Sequence, residues 1–125
     1  MFGTLLQVAL GGAIGASGRY LTGIAAVRLL GHGFPWGTLI VNVVGSFLMG
    51  VLVVVMAQKF GTRFAPFLMT GLLGGFTTFS AFSLDALTLY ERGQTGLAAG
   101  YVLASIGLTL SAIALGVLMT RMVTA

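Results

Sequence analysis

The segment Gly71-Leu-Leu-Gly-Gly-Phe-Thr-Thr-Phe-Ser-Ala-Phe-Ser83 decides the fold, because it places glycines and hydroxyl side chains inside a long apolar stretch. Glycine weakens a helix, and serine and threonine hydroxyls can bond to the backbone in place of the helical ladder. In lipid, irregular backbone is tolerated only where protein buries it or where it lines a wet cavity. The segment therefore predicts a break in a membrane helix that exposes carbonyls, hydroxyls and two phenylalanines, as in an ion site.

The composition of the chain is that of a membrane protein. Of its 125 residues, 58% are hydrophobic and only 6% are charged, too few to cover the surface of a soluble domain. A membrane-spanning helix takes about 20 residues, so four helices with short connections fill the chain as one domain, residues 1–125. The absence of cysteine excludes disulfides and thiolate metal sites.

The apolar segments predict an all-α fold with four transmembrane helices. Pro35 and Pro66 each suit the first turn of a helix, where the missing N–H costs nothing. The six basic residues divide three against three between the two ends of such a bundle, so the positive-inside bias is absent. This balance permits insertion in both orientations and an antiparallel dimer; a single orientation is the alternative. The predicted helices cover residues 4–27, 35–58, 66–90 and 95–119, with the third broken near 74–78, around Gly74 and Gly75.

The few ionisable side chains argue against an enzyme. Asp85, Glu91 and His32 are the only acids and the only histidine, and His32 falls in a loop, so neither a catalytic triad nor a metal site is predicted. Asp85 is the one candidate for proton coupling, but its place near a helix end favours an interfacial carboxylate paired with Arg92 or another arginine. Uncharged polar groups remain, and they suit passive conduction: Asn42, Ser46, Thr77, Thr78, Ser80, Ser83, Tyr101, Ser105 and Thr109.

Two features bear on the sign of the ion. Phe79 and Phe82 stack along one side of a helix; inward ring edges favour an anion and inward faces a cation, whereas simple packing against lipid is the alternative. Arg19 either forms an electropositive mouth that concentrates anions or extends from a helix end to the interface. The residues alone leave these alternatives open.

Three blocks of the sequence resemble the CrcB/Fluc family of fluoride channels. They are Gly11-Gly-Ala-Ile-Gly-Ala-Ser-Gly-Arg-Tyr20, Pro35-Trp-Gly-Thr-Leu-Ile-Val-Asn-Val-Val-Gly45 and Gly74-Gly-Phe-Thr-Thr-Phe-Ser-Ala-Phe-Ser83, and the likeness extends over the whole chain. The resemblance implies a dual-topology antiparallel homodimer in a bacterial inner membrane, surrounded by lipid, which exports fluoride passively through two pores. No nucleic-acid partner is expected.

The resemblance also implies roles for individual residues. The carbonyls of Gly74 and Thr77 would hold a structural sodium ion on the dimer axis. An ion pathway would pass ring edges, an amide and hydroxyls, with an arginine at its vestibule: Phe79, Phe82, Asn42, Ser80, Ser83, Tyr101, Ser105, Thr109 and Arg19. Ala81 departs from the family, which usually has threonine there, and Asp85 stands where glutamate is common.

Two other functions are kept as alternatives to the fluoride channel. A proton-coupled exporter of the small multidrug type is also a four-helix, dual-topology protein, and it would depend on an embedded carboxylate such as Asp85. A membrane assembly protein that transports nothing is the other alternative, and it would pass no ion in liposomes.

Overall fold

Residues 1–124, the part of the chain that this computed structural model describes, fold into helices joined by short non-helical segments. Five α-helices and two short π-helices account for nearly all of it, with no strand in that range. In chain order they are α1 (Phe2–Leu30), α2 (Trp36–Val55), a π-helix (Met56–Phe60), a second π-helix (Pro66–Leu73), α3 (Gly74–Phe76), α4 (Phe79–Glu91) and α5 (Thr95–Thr124).

Three helical stretches are long and apolar enough to cross a membrane: Trp36–Lys59, Pro66–Glu91 and Thr95–Thr124. The first helix, α1, has 29 residues and therefore sufficient length. Its glycines together with Gln7 and Arg19 lower its hydropathy, which is why it does not join the other three. The predicted all-helical membrane architecture is thus confirmed, with α1 as the most polar of its long helices.

Glycines bring α1 into backbone contact with the second π-helix and α3. A methyl group added at Gly15 would overlap the Leu72 carbonyl and lie 2.8 Å from the Phe76 nitrogen. A methyl at Gly75 would lie 2.8 Å from the Gly12 carbonyl oxygen. Such close approach of two backbones is typical of membrane helices with small residues at their interface. These contacts hold the third membrane-spanning segment, Pro66–Glu91, directly against α1.

We expect the substitution Gly15→Ala to destabilise the protein by about 1–3 kcal/mol, because the new methyl meets backbone atoms that no rotamer change can move. Thermal unfolding in detergent measures this change. Gly12→Ala is the matched control, since no atom of residues 1–124 outside the local helix lies within 4 Å of a methyl there. Equal melting temperatures for the two variants would contradict the packing argument.

The opposite side of the bundle is formed by α2 and α5. Methyl groups added at Gly50 and Gly116 would overlap carbonyls of the facing helix, those of Ile113 and Phe47 respectively, so this pair is also closely packed. Toward the α4–α5 turn, Tyr101 is completely buried in an apolar cluster. The cluster contains Leu39, Leu89, Ala98 and Tyr101, with Phe34, Val43, Phe82 and Ala86 packed against it.

The third segment is not a regular helix. The backbone of Thr77 and Thr78 is extended, with φ −89° and ψ 159° at Thr77 and φ −155° and ψ 123° at Thr78. Gly74 and Gly75, around which the sequence predicts a break, are themselves helical residues of α3. The extended pair therefore lies two residues beyond the glycines and separates α3 from α4. We call Thr77–Thr78 the interruption.

Candidate functional site

The interruption is held in place by the side chain of Asn42 on α2. The Thr78 N–H donates to Asn42 Oδ1 at 2.8 Å, and Asn42 Nδ2 donates to the Thr78 carbonyl at 3.0 Å. One side-chain amide thereby satisfies both polar groups of one extended residue, as a neighbouring strand would. Partly buried backbone groups need such partners, because an unpaired one costs about 1–3 kcal/mol. Asn42 is thus a structural partner of the interruption as well as a candidate ion contact.

Two carbonyls at the interruption lose their regular helical donors. In a continuous α-helix the N–H of residue i donates to the carbonyl of residue i−4. The Thr78 N–H, which would serve Gly74, bonds to Asn42 instead. The Ala81 N–H, which would serve Thr77, donates to Thr78 Oγ1 at 3.1 Å and so forms the N-cap of α4. The carbonyls of Gly74 and Thr77 are released by the same two hydrogen bonds that end one helix and begin the next.

Arg19 contacts the same region from α1. Its Nε donates to the Gly75 carbonyl at 3.1 Å, a carbonyl that would accept from Phe79 if the helix continued. The guanidinium therefore caps the end of α3 and places a positive charge beside the interruption. Arg19 also lines a cavity of about 490 Å³ between α1, α2 and α4, together with Arg28, Thr38 and Ala81. The Nε of Arg19 thus bonds to the protein backbone, and the predicted role of Arg19 at the vestibule stays a prediction.

A second cavity, of about 310 Å³, lies between α2, the interruption, α4 and α5. All of its lining residues are uncharged, and they include both polar and apolar side chains. They are Asn42, Gly45, Ser46, Met49, Thr77, Thr78, Phe79, Phe82, Ser105, Ile106, Thr109 and Ile113. We call it the polar cavity. It brings together five of the predicted pathway residues: Asn42, Phe79, Phe82, Ser105 and Thr109.

The two predicted aromatic residues contact each other at the edge of the polar cavity. The ring centroids of Phe79 and Phe82 are 5.3 Å apart with the ring planes at 60°, an edge-to-face arrangement. Phe82 packs in turn on Tyr101 at 5.2 Å. Phe79 differs sharply, since 78% of it is exposed on the surface of the single chain. One ring is therefore fixed by the core, and the other is open to a neighbour.

The hydroxyl groups of the predicted pathway are arranged unequally. Ser105 is 6% exposed and lines the polar cavity, and its buried Oγ has no hydrogen-bond partner within residues 1–124. The Thr109 hydroxyl donates to the Ser105 carbonyl at 2.6 Å. Ser80 and Ser83 lie outside the polar cavity on the exposed side of α4, where they bond to Thr78 Oγ1 and to the Phe79 carbonyl.

Asp85 is bound by hydroxyl groups, not by the arginine that the sequence suggests. Its Oδ2 accepts from Thr38 Oγ1 at 2.7 Å and from Tyr101 OH at 3.3 Å, and it forms no ion pair within the described chain. The Tyr101 hydroxyl is therefore bonded to a partly buried carboxylate, and Tyr101 does not line the polar cavity. Thr38 is a residue that the sequence analysis missed. Its signal was present, because Thr38, Asn42 and Ser46 recur at four-residue intervals on one face of α2.

These features define the class of the protein: an all-helical, multi-pass membrane protein with an uncharged polar cavity beside an interrupted helix. Residues 6–117 match the family model described as CrcB-like protein, Camphor Resistance (CrcB), and the chain belongs to this family. The resemblance noted in the sequence is thereby confirmed.

Several relatives share most of their length with this chain. It is 69% identical over 121 residues to the Fluoride-specific ion channel FluC of Cereibacter sphaeroides (strain ATCC 17029), covering 97% of both chains. It is 60% identical over 119 residues to the protein of that name from Ruegeria sp. (strain TM1040), covering 94% of both. For the Paracoccus denitrificans protein, the identity is 54% over 118 residues, again with 94% of both chains covered.

Proposed function

We propose that the chain forms a fluoride channel that lets the ion leave a bacterial cell passively across the inner membrane and so relieves fluoride toxicity. The observation that carries this proposal is the 69% identity, over 97% of both chains, to a protein named as a fluoride-specific ion channel. The chemistry of the polar cavity supports it independently. Its function is therefore that of a channel and not of an enzyme.

An uncharged lining suits an anion that must bind and also leave. Fluoride is small and strongly hydrated, so a narrow pathway has to replace its lost water with other donors. The free Ser105 hydroxyl and the amide of Asn42 supply N–H and O–H groups, and inward ring edges of Phe79 and Phe82 supply weaker positive contacts. Because no lining residue carries a charge, none holds the ion deeply, as conduction requires.

The surface around Phe79 supports a homodimer. Phe79, Ser80, Ser83 and Gly74 are all exposed on the single chain, so an apolar ring and polar groups share one face. Lipid tails have no hydrogen-bonding groups for hydroxyl and backbone groups, whereas a second protein surface can form hydrogen bonds with both. In the proposed antiparallel, dual-topology dimer, a second copy covers this face and the exposed ring joins the pathway between the two chains.

The released carbonyls fit the structural sodium ion that the family implies. Gly74 and Thr77 each lose a helical donor at the interruption, and Gly74 is exposed on the single chain. Hard cations prefer oxygen ligands, and two backbone carbonyls from each of two chains would supply four. When bound, sodium would supply positive charge that stabilises the dimer centre. The carbonyl oxygens of Gly74 and Thr77 are held in position by the hydrogen bonds of Asn42 to the Thr78 backbone and by the cap that the Thr78 side chain forms.

We expect removal of sodium to lower the melting temperature of the purified dimer by ~5 °C or more, because an ion bound only by the folded dimer stabilises it by mass action. The measurement compares sodium chloride with N-methyl-D-glucamine chloride at equal ionic strength. Lysozyme in the same two buffers controls for general salt effects. Identical melting curves for the dimer would contradict the sodium site.

The transport proposal is tested by fluoride release from liposomes that contain the purified protein. A fluoride-selective electrode is expected to record rapid release down the gradient, and chloride-loaded vesicles are expected to release little. Protein-free vesicles are the control. Absence of fluoride release would support the assembly protein and overturn the channel.

The same assay separates the channel from the proton-coupled exporter. Asp85 bonds to Thr38 and Tyr101 in the middle of α4, not near a helix end as the sequence suggests, and it does not line the polar cavity. A passive channel carries fluoride without a proton gradient. We therefore expect the Asp85→Asn variant to keep releasing fluoride, because the asparagine oxygen can still accept hydrogen bonds from the Thr38 and Tyr101 hydroxyls. Complete loss of transport in that variant, together with a requirement for a proton gradient, would favour the exporter.

A further inference from the structure

We propose that Gly45 is a positioning residue that fixes the place of Thr77 and, through it, the backbone of the interruption. Gly45 is buried on α2, one turn before Met49 and one turn after Asn42, whose side chain bonds to Thr78. A methyl added at Gly45 would overlap Cγ2 of Thr77 and would lie 3.5 Å from Cδ2 of Phe76. The last residue of α3 and the first residue of the interruption thus both rest on a surface that exists only because residue 45 has no side chain.

Thr77 has little freedom to move away from Gly45. Its hydroxyl donates to the Leu73 carbonyl at 2.9 Å, and its N–H donates to the same carbonyl at 3.0 Å. The side chain is β-branched, so the position of the hydroxyl also sets the position of the methyl. Rotation that moves Cγ2 out of the way breaks the bond to Leu73 and points the hydroxyl elsewhere. A side chain at residue 45 therefore displaces Thr77 as a whole, including its released carbonyl.

Phe76 is held from two sides in the same way. Its ring lies 3.5 Å from a methyl added at Gly18 on α1 and 3.5 Å from one at Gly45 on α2. The end of α3 is accordingly seated between two helices at positions without side chains. Asn42 fixes Thr78, and Gly45 fixes Thr77 one turn further along the same helix. The two extended residues have separate supports, and α2 provides both.

The consequence for transport rests on the proposed function, whereas the contact itself does not. Displacement of Thr77 moves one wall of the polar cavity and one of the two carbonyls proposed for sodium. The substitution Gly45→Ala is therefore expected to lower fluoride release by about tenfold or more and to raise the sodium concentration needed for half-maximal stabilisation. In an ordinary helix the same change is stabilising, since alanine is the better helix former. The expected sign thus opposes helix propensity.

The test is a double-mutant cycle with Thr77→Ser, which removes Cγ2 and keeps the hydroxyl that bonds to Leu73. Four proteins are compared: the unsubstituted chain, G45A, T77S and G45A/T77S. The melting temperature in sodium is measured for each, with fluoride release as the second measurement. We expect G45A to lower the melting temperature markedly in the Thr77 protein and much less in the T77S background. Gly107→Ala on α5 is the control, since no atom of residues 1–124 outside the local helix lies within 4 Å of a methyl there.

Each outcome decides the proposal. Recovery of stability and of sodium response in G45A/T77S, relative to G45A, supports it. Equal effects of G45A in both backgrounds, or a G45A protein that behaves like G107A, would overturn it. If G45A does not fold, recovery of folded protein in the double variant supports the contact, and failure of both variants contradicts it. Melting temperatures are measured without any transport assay. They therefore test the contact between Gly45 and Thr77 even if the fluoride-channel proposal proves wrong.

Discussion

Replacement of Phe82 by isoleucine is expected to abolish fluoride release from liposomes while the dimer stays assembled. Isoleucine keeps an apolar side chain in place but has no ring edge, so the anion loses a contact that substitutes for water. Release should fall by about a hundredfold, which corresponds to about 2.8 kcal/mol added to the barrier at about 1.4 kcal/mol for each factor of ten. The substitution Phe79→Ile is expected to act in the same direction.

The measurement pairs fluoride release with size-exclusion chromatography, so that a lost pathway is distinguished from a lost dimer. Phe64→Ile is the matched control, because Phe64 is an exposed ring in the turn before the second π-helix, beneath the guanidinium of Arg63. It removes a ring from the chain without touching the polar cavity. Unchanged release in both the Phe79 and the Phe82 variants would overturn the ring-edge proposal.

Replacement of Asn42 by leucine is expected to produce the largest loss of stability of any single change at the site. Leucine has nearly the same size but bonds to neither the N–H nor the carbonyl of Thr78. Each unpaired backbone group costs about 1–3 kcal/mol, so the two together account for roughly 2–6 kcal/mol. Folded protein should become scarce, and fluoride release should disappear.

Ser46→Ala is the control for Asn42→Leu, because Ser46 lies one turn further along α2 and lines the same polar cavity. Its substitution should leave the melting temperature within a few degrees of the parent. Yield, melting temperature and release are measured for both variants. A stable N42L protein would contradict the role of Asn42 as the support of the interruption.

The sequence predicted the class of structure because that class depends on composition and on the spacing of apolar segments. The sequence also predicted an interruption near residues 74–78, a range that includes the extended pair, but centred it on Gly74 and Gly75. Those residues are helical, and the extended backbone lies at Thr77 and Thr78. The reason is tertiary: the amide that captures Thr78 comes from Asn42, 36 residues away in sequence. The helix propensities of residues 74–78 do not reveal a contact with a residue so distant in the sequence.

The partners of the polar side chains were also set by tertiary structure. Charge complementarity suggested an arginine for Asp85, but the fold places Thr38 and Tyr101 against it. Tyr101 was expected on the ion pathway with Ser105 and Thr109, yet its hydroxyl bonds to that carboxylate and it does not line the polar cavity. Ser80 and Ser83 fall on the exposed side of α4. Residue types were thus predictable, whereas their pairing required the structure.

Asn42, Arg19 and the cap at Thr78 stabilise the interruption with hydrogen bonds from within the chain itself. A newly inserted protomer can consequently hold the extended backbone of Thr77 and Thr78 in place before it meets another copy, with the carbonyls of Gly74 and Thr77 left for the proposed sodium ion. In the proposed dimer, assembly in the bilayer is then the association of two chains that have already folded. Its rate depends on how often oppositely oriented chains meet.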